Sequence, residues 1–291
     1  MKSAIAILTY KRLAAVQHFL ETVQQTVDPA VPVGVFEDCG NDETVRWLED
    51  ISAPGHYVKH LEADYREAPG VSVFVGQRNV GVSGNSNRAL RWFADSDCDH
   101  LLLCNDDLVS TGDFAKFYAN AHDKTGVGLF CFSDFMDDSR KPVSVRARDG
   151  TRFNVIPRMT GIMMSITRRC FDSVGYFEAD VFGKFGEEHV SWTHRARFAG
   201  ELNVDGRACS CLDIPGAPLR HQDIDSTCNP ATKASLDSEA SISMAKAASR
   251  YPYTSPWRPF YLGPKFKVAG RSGEGTDPWA LQRLGYTGLT S

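Results

Sequence analysis

No stretch of this chain approaches the ~20 consecutive apolar residues that a membrane-spanning helix needs, and the mean hydropathy of −0.28 fits a soluble globular chain. Positive charge is not in excess: 32 Lys and Arg stand against 36 Asp and Glu, a net charge of −4. A protein dominated by binding to a nucleic-acid backbone is thereby excluded, and any such contact must come from a local patch. The eight cysteines are scattered, and only Cys209 and Cys211 lie close together. With no CxxC pair and no His/Cys ligand spacing, neither a zinc site nor a disulfide framework is signalled, and reduced thiols in a cytoplasm are expected. The apolar run Ala4 to Leu8 behind Lys2 is too short for a secretory signal. Internal repeats are absent as well. Gly270 to Gly275 has the glycines of a phosphate loop, but no strand before it and no Gly-Lys-Ser/Thr after it, so a linker is expected.

What is present is 291 residues, 42% hydrophobic and 23% charged, enough for one large domain or two small ones with a proper core. Short β-like runs alternate with helix-like ones. Ser3 to Thr9 reads as a buried strand, and Arg12 to Thr26 as a helix with Leu13, Val16, Phe19, Leu20 and Val23 on one face. Val33 to Phe36 is a second strand, followed by a helix from Glu43 to Ile51. After a polar connection, Val71 to Val75 is a third, Ser83 to Ala94 is helical, and Leu101 to Cys104 is a fourth strand. That alternation predicts a parallel α/β sheet. Further on, Val127 to Phe132 and Ile162 to Ile166 read as strands and Glu188 to Ala199 as a helix, with His194 on the helix surface. From Thr227 the composition shifts to a small-residue helix, Ala231 to Ser249, and then to a tail rich in Pro, Gly and aromatics.

In such sheets ligands bind at the carboxyl ends of the strands. Thr9 to Arg12, Glu37-Asp38, Gln77 to Asn79 and Asn105 to Asp107 all follow strands, so they are expected along one edge. A single cluster of this kind is usually a turn or a helix cap; four in succession, two of them acidic, suggest a site. Adjacent carboxylates at Asp106 and Asp107 suit a hard divalent cation such as Mg²⁺ or Mn²⁺, which commonly bridges the phosphates of a nucleotide. The alternative is an Asx turn leading into the helix at Asp113.

These segments, in their order, resemble glycosyltransferase family 2, enzymes of the GT-A fold, over roughly residues 3–225. Thr9-Tyr10-Lys11-Arg12 resembles the family's first nucleotide-contacting turn. Phe36 to Thr44 is similar to its Asp-Asp-Gly-Ser-Thr-Asp-Gly-Thr segment, and Arg78 to Leu90 to its Asn-x-Gly stretch beneath the nucleotide. Asn105-Asp106-Asp107 is the counterpart of its Asp-x-Asp motif. In the second half, Met159 to Met164 and Phe171 to Glu178 resemble the stretches before the family's Glu-Asp motif. Counting back from Ala199-Gly200, Glu188 falls on the Glu of Glu-Asp-x-Asp, while His189 and Ser191 replace its two aspartates. Leu219 to Asp223 lies where many GT-A enzymes supply a metal-binding His, here His221.

The resemblance implies a mixed Rossmann-like sheet flanked by helices, with residues 1–228 forming the GT-A domain and 229–291 a C-terminal extension. Within the domain, 1–108 would bind the nucleotide sugar and 109–228 the acceptor. It further implies inverting transfer of a sugar from a nucleotide-diphosphate donor, a UDP-sugar first, to an acceptor hydroxyl on a glycan or lipid-linked glycan. Thr9, Tyr10, Arg12, Asp38, Asn79 and Asp106 would bind the donor, and Asp107 and His221 would hold Mn²⁺ or Mg²⁺. The general base would be Glu188, or Glu187 if the register slips by one. The plain alternative for both acids is a favourable helix start, worth ~0.3 to 1 kcal/mol.

Residues 246–271 hold six basic residues, from Lys246 to Arg271, and six aromatics, with no acid. Such a segment can grip an anionic acceptor, such as a hydroxylated nucleic-acid base, or touch a membrane surface from the cytoplasm. Alternatively it is an arm packed back over the domain. Two rival functions fit parts of the pattern: a nucleotidyltransferase, against which the glycine-free turn after the first strand speaks, and an inactive carbohydrate- or nucleotide-binding module, kept open by His189 and Ser191.

Overall fold

The run Ser3–Thr9 is small and branched apolar throughout and is buried at every position, as a strand covered on both faces requires. In the computed structural model, which describes residues 1–39, 43–53, 57–58, 63–68, 70–133, 143–156, 161–184, 188–209, 211–222, 266–268, 271–273 and 289–290, it is β1, at the heart of the sheet. The first half continues with α1 (Leu13–Thr26), β2 (Val33–Glu37), α2 (Glu43–Asp50), β3 (Tyr57–Val58), β4 (Ala63–Ala68), β5 (Val71–Gly76), α3 (Gly81–Ala94) and β6 (His100–Asn105). Next come β7 (Leu108–Ser110), α4 (Phe114–Thr125), β8 (Leu129–Cys131), β9 (Val143–Arg146), β10 (Arg152–Val155), β11 (Met163–Thr167), α5 (Arg168–Val174), α6 (Ala179–Phe182) and α7 (Glu188–Phe198). Four short strands follow, β12 (Asn203–Val204), β13 (Arg207–Ala208), β14 (Leu212–Asp213) and β15 (Leu219–His221). Beyond them, Phe266–Val268, Arg271–Gly273 and Leu289–Thr290 pair as a separate antiparallel sheet.

Eight strands form the main sheet in the order β3-β4-β5-β2-β1-β6-β11-β8. Its four middle strands are parallel, whereas β4, β3, β11 and β8 add antiparallel flanks. The sheet is therefore mixed. α1 buries Val16, Phe19, Leu20 and Val23, each worth ~1.5–3 kcal/mol relative to exposure, and α3 and α4 pack against β1. Among the described residues no helix is long and apolar enough to cross a membrane.

Three expectations change, the first at the expected linker Gly270 to Gly275, where Arg271–Gly273 pairs as a strand. The polar connection before the third strand contains β3 and β4; β4, with the sequence ADYREA, carries little apolar signal because a flanking strand takes its order from main-chain pairing with β5. His194 is not on a helix surface but 3% exposed. α7 is enclosed on nearly every side, with Trp192 Nε1 donating to Gly175 O at 2.9 Å and Arg195 donating to the carbonyls of Val174 and Tyr176. Burial lowers the His194 pKa to about 3. The expected helix Ala231 to Ser249 and the basic segment from Lys246 to Lys265 lie outside the described residues.

Candidate active site at the carboxyl edge of the sheet

Parallel pairing brings the carboxyl ends of β1, β2, β5 and β6 to one edge, with Thr9 opposite Glu37 and Leu8 opposite Asn105. The chain turns sharply there: Lys11 and Cys39 both take left-handed backbone, at φ 57 and 63. Asp38 N donates to Thr9 O at 3.0 Å, tying the two turns together. The Tyr10 ring is half-buried and has the Lys11 ammonium 5.3 Å from its centroid.

Asp106 is 2% exposed. Thr9 Oγ1 donates to its Oδ2 at 2.7 Å, and Arg12 Nη1 to its Oδ1 at 2.9 Å; the same Arg12 nitrogen reaches Asp107 Oδ2 at 3.2 Å. Burial, helped by the neighbouring Asp107 charge, pushes the Asp106 carboxyl up to about 7, with the Arg12 charge and the Thr9 hydrogen bond chief among the groups that hold it back. Asp107 Oδ2 also lies 3.6 Å from His221 Nε2, while its Oδ1 is buried without a partner. His221 owes its place to pairing of β15 with β7, which sets it opposite Leu108. Gln222 locks the register by donating from N to Asp107 O at 2.7 Å and from Nε2 to Leu108 O at 2.6 Å.

Asp38 sits at the end of β2 with both oxygens engaged: Oδ1 accepts from Val80 N at 2.9 Å and Arg88 Nη1 at 3.0 Å, and Oδ2 from Gly81 N at 2.7 Å. Burial raises its pKa, opposed by those same donors. Asn79 Oδ1 accepts from Gly81 N at 3.1 Å, completing the turn into α3. Gly81 has φ 75, and a Cβ there would lie 2.1 Å from Lys184 Cα. Val82 N donates to Lys184 O at 2.9 Å, so the segment after α6 rests on this turn.

Glu188 opens α7 and is 3% exposed. Its Oε1 lies 3.1 Å from His189 Nδ1, and its Oε2 is buried with no partner. The His189 ring is seated against Gly161, and next to that glycine Ile162 O accepts from Asn105 N at 2.9 Å. The start of α7 is thereby linked to the end of β6. Ser191 Oγ donates to Glu178 Oε2 at 2.7 Å. Glu187 lies outside the described residues.

No family model matches the chain. An uncharacterized glycosyltransferase of Bacillus subtilis, YwdF, is 24% identical over 228 residues, covering 73% of each chain. Among solved structures, residues 1–349 of S. aureus TarS superpose with a TM-score of 0.53 at 15% identity, over 91% of this chain and 76% of that one. The mannosyltransferase PcManGT from Pyrobaculum calidifontis, in complex with GDP-Man and Mn²⁺, gives 0.54 at 17% identity over 98% and 73% of the two chains. GalNAc-T7 with UDP, GalNAc and Mn²⁺ gives 0.61 at 10% identity, over 90% of this chain and 50% of that one.

The fold is that of the GT-A glycosyltransferases. Sequence and fold together support a glycosyltransferase. Among the described residues no three His, Cys, Asp or Glu side chains converge to hold a metal ion by themselves. Asp107 and His221 nevertheless fit two positions of one ion: their 3.6 Å separation is less than twice a ~2.1 Å coordination bond, and Asp107 Oδ1 lacks any other partner. Further ligands would then come from the donor. Arg12 Nε and Nη2 and the hydroxyls of Ser83 and Ser86 are also buried without partners. Buried polar groups are nearly always paired, so the unpaired atoms of Arg12 and Asp107, two side chains that meet at this edge, suit a polar ligand.

Three participants escaped the sequence reading. Arg88 neutralises Asp38, and the Asn-x-x-Arg spacing of Asn85 and Arg88, which puts both on one helix face, was the available signal: Asn85 Nδ2 donates to Phe36 O at 2.8 Å beside it. Lys184 acts through its main-chain carbonyl, which no residue type announces, and Gln222 through its main-chain N and its side-chain amide. The sequence places Arg12 at the donor; the fold in addition pairs it with both Asp106 and Asp107.

Proposed function

We propose that this chain is an inverting, metal-dependent glycosyltransferase that moves a sugar from a nucleotide-diphosphate sugar, a UDP-sugar first, to an acceptor hydroxyl on a glycan or lipid-linked glycan. What carries it is the convergence of Thr9, Arg12, Asp106, Asp107 and His221 at one edge, with the unpaired Oε2 of Glu188 on the element tied to that edge. The similar structures that carry GDP-Man, UDP or UDP-GlcNAc support the donor class.

Residues 1–108 would hold the donor and 109–228 the acceptor. Thr9, Tyr10, Asp38 and Asn79 form the nucleoside side, Asp38 acting chiefly by clamping the turn at Val80 and Gly81. Asp106 faces the ribose or sugar. The unpartnered Nε and Nη2 of Arg12 are available to phosphate oxygens. Asp107 and His221 would hold Mn²⁺ or Mg²⁺, which when bound neutralises charge developing on the diphosphate; an imidazole ligand favours Mn²⁺ of the two. Glu188 Oε2 takes the acceptor proton as the hydroxyl oxygen bonds to the anomeric carbon and the carbon–oxygen bond to the diphosphate breaks. The seven cysteines among the described residues stand as thiols rather than disulfides, which suits a reducing cytoplasm.

The test is a donor screen with Mn²⁺ or Mg²⁺, scored by release of nucleoside diphosphate from UDP-, GDP-, dTDP- and CDP-sugars. Release from one donor is expected, abolished in D107A and slowed ~10²- to 10⁴-fold in E188Q with donor affinity retained. No release from any donor, with no metal-dependent nucleotide binding, would overturn the proposal.

A further inference from the structure

We propose that His189 is a positioning residue: its Nδ1–H holds Glu188 Oε1 and so leaves Oε2 as the single atom that accepts the proton, which rests on Glu188 being the base proposed above. Adjacent residues on a helix do not ordinarily face each other, yet Glu188 Oε1 and His189 Nδ1 are 3.1 Å apart, both residues being buried. The imidazole must therefore be held where it is. Gly161 allows it: a Cβ at that position would lie 2.3 Å from both Nδ1 and Cε1 of the ring and 2.5 Å from Cγ. Phe177 meets the ring edge-on, with centroids 5.3 Å apart and planes at 69°. Thr193 Oγ1 donates to His189 O at 2.8 Å, a main-chain contact that leaves the ring nitrogens to other partners.

The 3.1 Å approach of Nδ1 to Oε1 is an ion-pair distance, and since an ionised carboxylate oxygen is acceptor only, we place the proton between them on Nδ1. Oε1 is thereby committed, and Oε2, buried and unpartnered, is the atom left for chemistry. A half-satisfied buried carboxylate is costly, and an incoming hydroxyl relieves that cost by donating to Oε2. The proton then passes to Oε2 as the new bond to the anomeric carbon forms and the diphosphate departs; His189 keeps its own proton throughout. Holding a base in line in this way is worth ~10- to 100-fold in turnover when its support is removed.

The experiment measures hydrolysis of whichever of UDP-glucose, UDP-N-acetylglucosamine and GDP-mannose the full chain turns over, water standing in for the acceptor. H189A and G161A should each lower kcat ~10- to 100-fold with KM for the donor within about threefold, since the donor is bound elsewhere. Combined, they should cost no more than either alone, because both remove the same contact. H189N, whose amide nitrogen can take the place of Nδ1, should restore kcat to within about fivefold of wild type, whereas H189Q, whose amide lies farther out, should not. Should H189A fail to fold, G161A and H189N carry the same comparison. Full turnover in H189A with E188Q inactive would overturn the positioning role and leave the base standing. Equal loss in H189A and H189N, with weakened donor binding, would mark a structural role and overturn it too. Turnover retained in E188Q, or no hydrolysis of any donor by the wild type, would remove the base or the enzyme reading, and this proposal with it.

Discussion

At the scale of single residues the site depends on a few positions with no freedom to change. Gly81 is one: its φ of 75 is left-handed, and a side chain there would run into the Lys184 main chain. A left-handed non-glycine residue costs ~1–2 kcal/mol, and the overlap with main chain adds to it. G81A should therefore lower the unfolding free energy by ~2 kcal/mol or more in urea titrations and raise KM for the donor, because the turn held by Asp38 must shift. Unchanged stability and KM would show that the turn yields at little cost. The acids were legible as types at strand ends; their pairing was not. Asp106 reads as a donor contact and Asp107 as a metal ligand, yet Arg12 spans both, a cation brought 94 residues along the chain.

The elements show where periodicity informs and where it fails. α1 announces itself through apolar positions every three to four residues, Leu13, Val16, Phe19, Leu20 and Val23. α7 could not be read so, because it is buried on nearly all sides and its polar residues, Glu188, Ser191 and His194 among them, face protein rather than water. One side chain joins two elements that the sequence leaves unrelated. Arg168, at the start of α5, donates from Nη2 to Phe93 O at 2.7 Å, Cys98 O at 2.7 Å and Ser96 O at 3.0 Å, with its guanidinium carbon 3.9 Å from the Phe93 ring centroid. It thus gathers carbonyls at and just beyond the C-terminus of α3 and opposes the helix dipole. R168A should cost ~2 kcal/mol of stability by denaturant titration, and R168K should recover less than half, since an ammonium lacks the planar fork. A loss below ~0.5 kcal/mol would reduce this contact to an ordinary surface interaction.

Across the whole molecule, buried ionisable groups set a pH dependence of opposing signs. His100 and His122 share the Ser165 hydroxyl, each at 2.8 Å, which joins β6, α4 and β11. Burial lowers both pKa values, that of His122 to about 4. A group depressed on folding lends stability that is present above its unfolded value of 6.5 and is lost as pH falls toward the folded value. Asp106 and Asp213, raised to about 7, act oppositely: their contribution is full below the unfolded value of 3.8 and is lost as pH rises through 7. Comparison of wild type with H122N isolates one group. The wild type should lose stability relative to H122N by a few kcal/mol in all as pH is lowered from 6.5 to about 4, and a difference independent of pH would show that His122 is not held neutral by folding. The order of strands and helices, and the four polar clusters after the parallel strands, follow from local chemistry: side-chain period, β-branching and the turn preferences of Asn, Asp and Gly act within a few residues and are written in the chain. The closure of the site does not. His221 meets Asp107 because β15 pairs with β7, and Glu188 approaches the edge because His189 fits over Gly161. Those contacts join distant segments through register and packing, which no local signal carries.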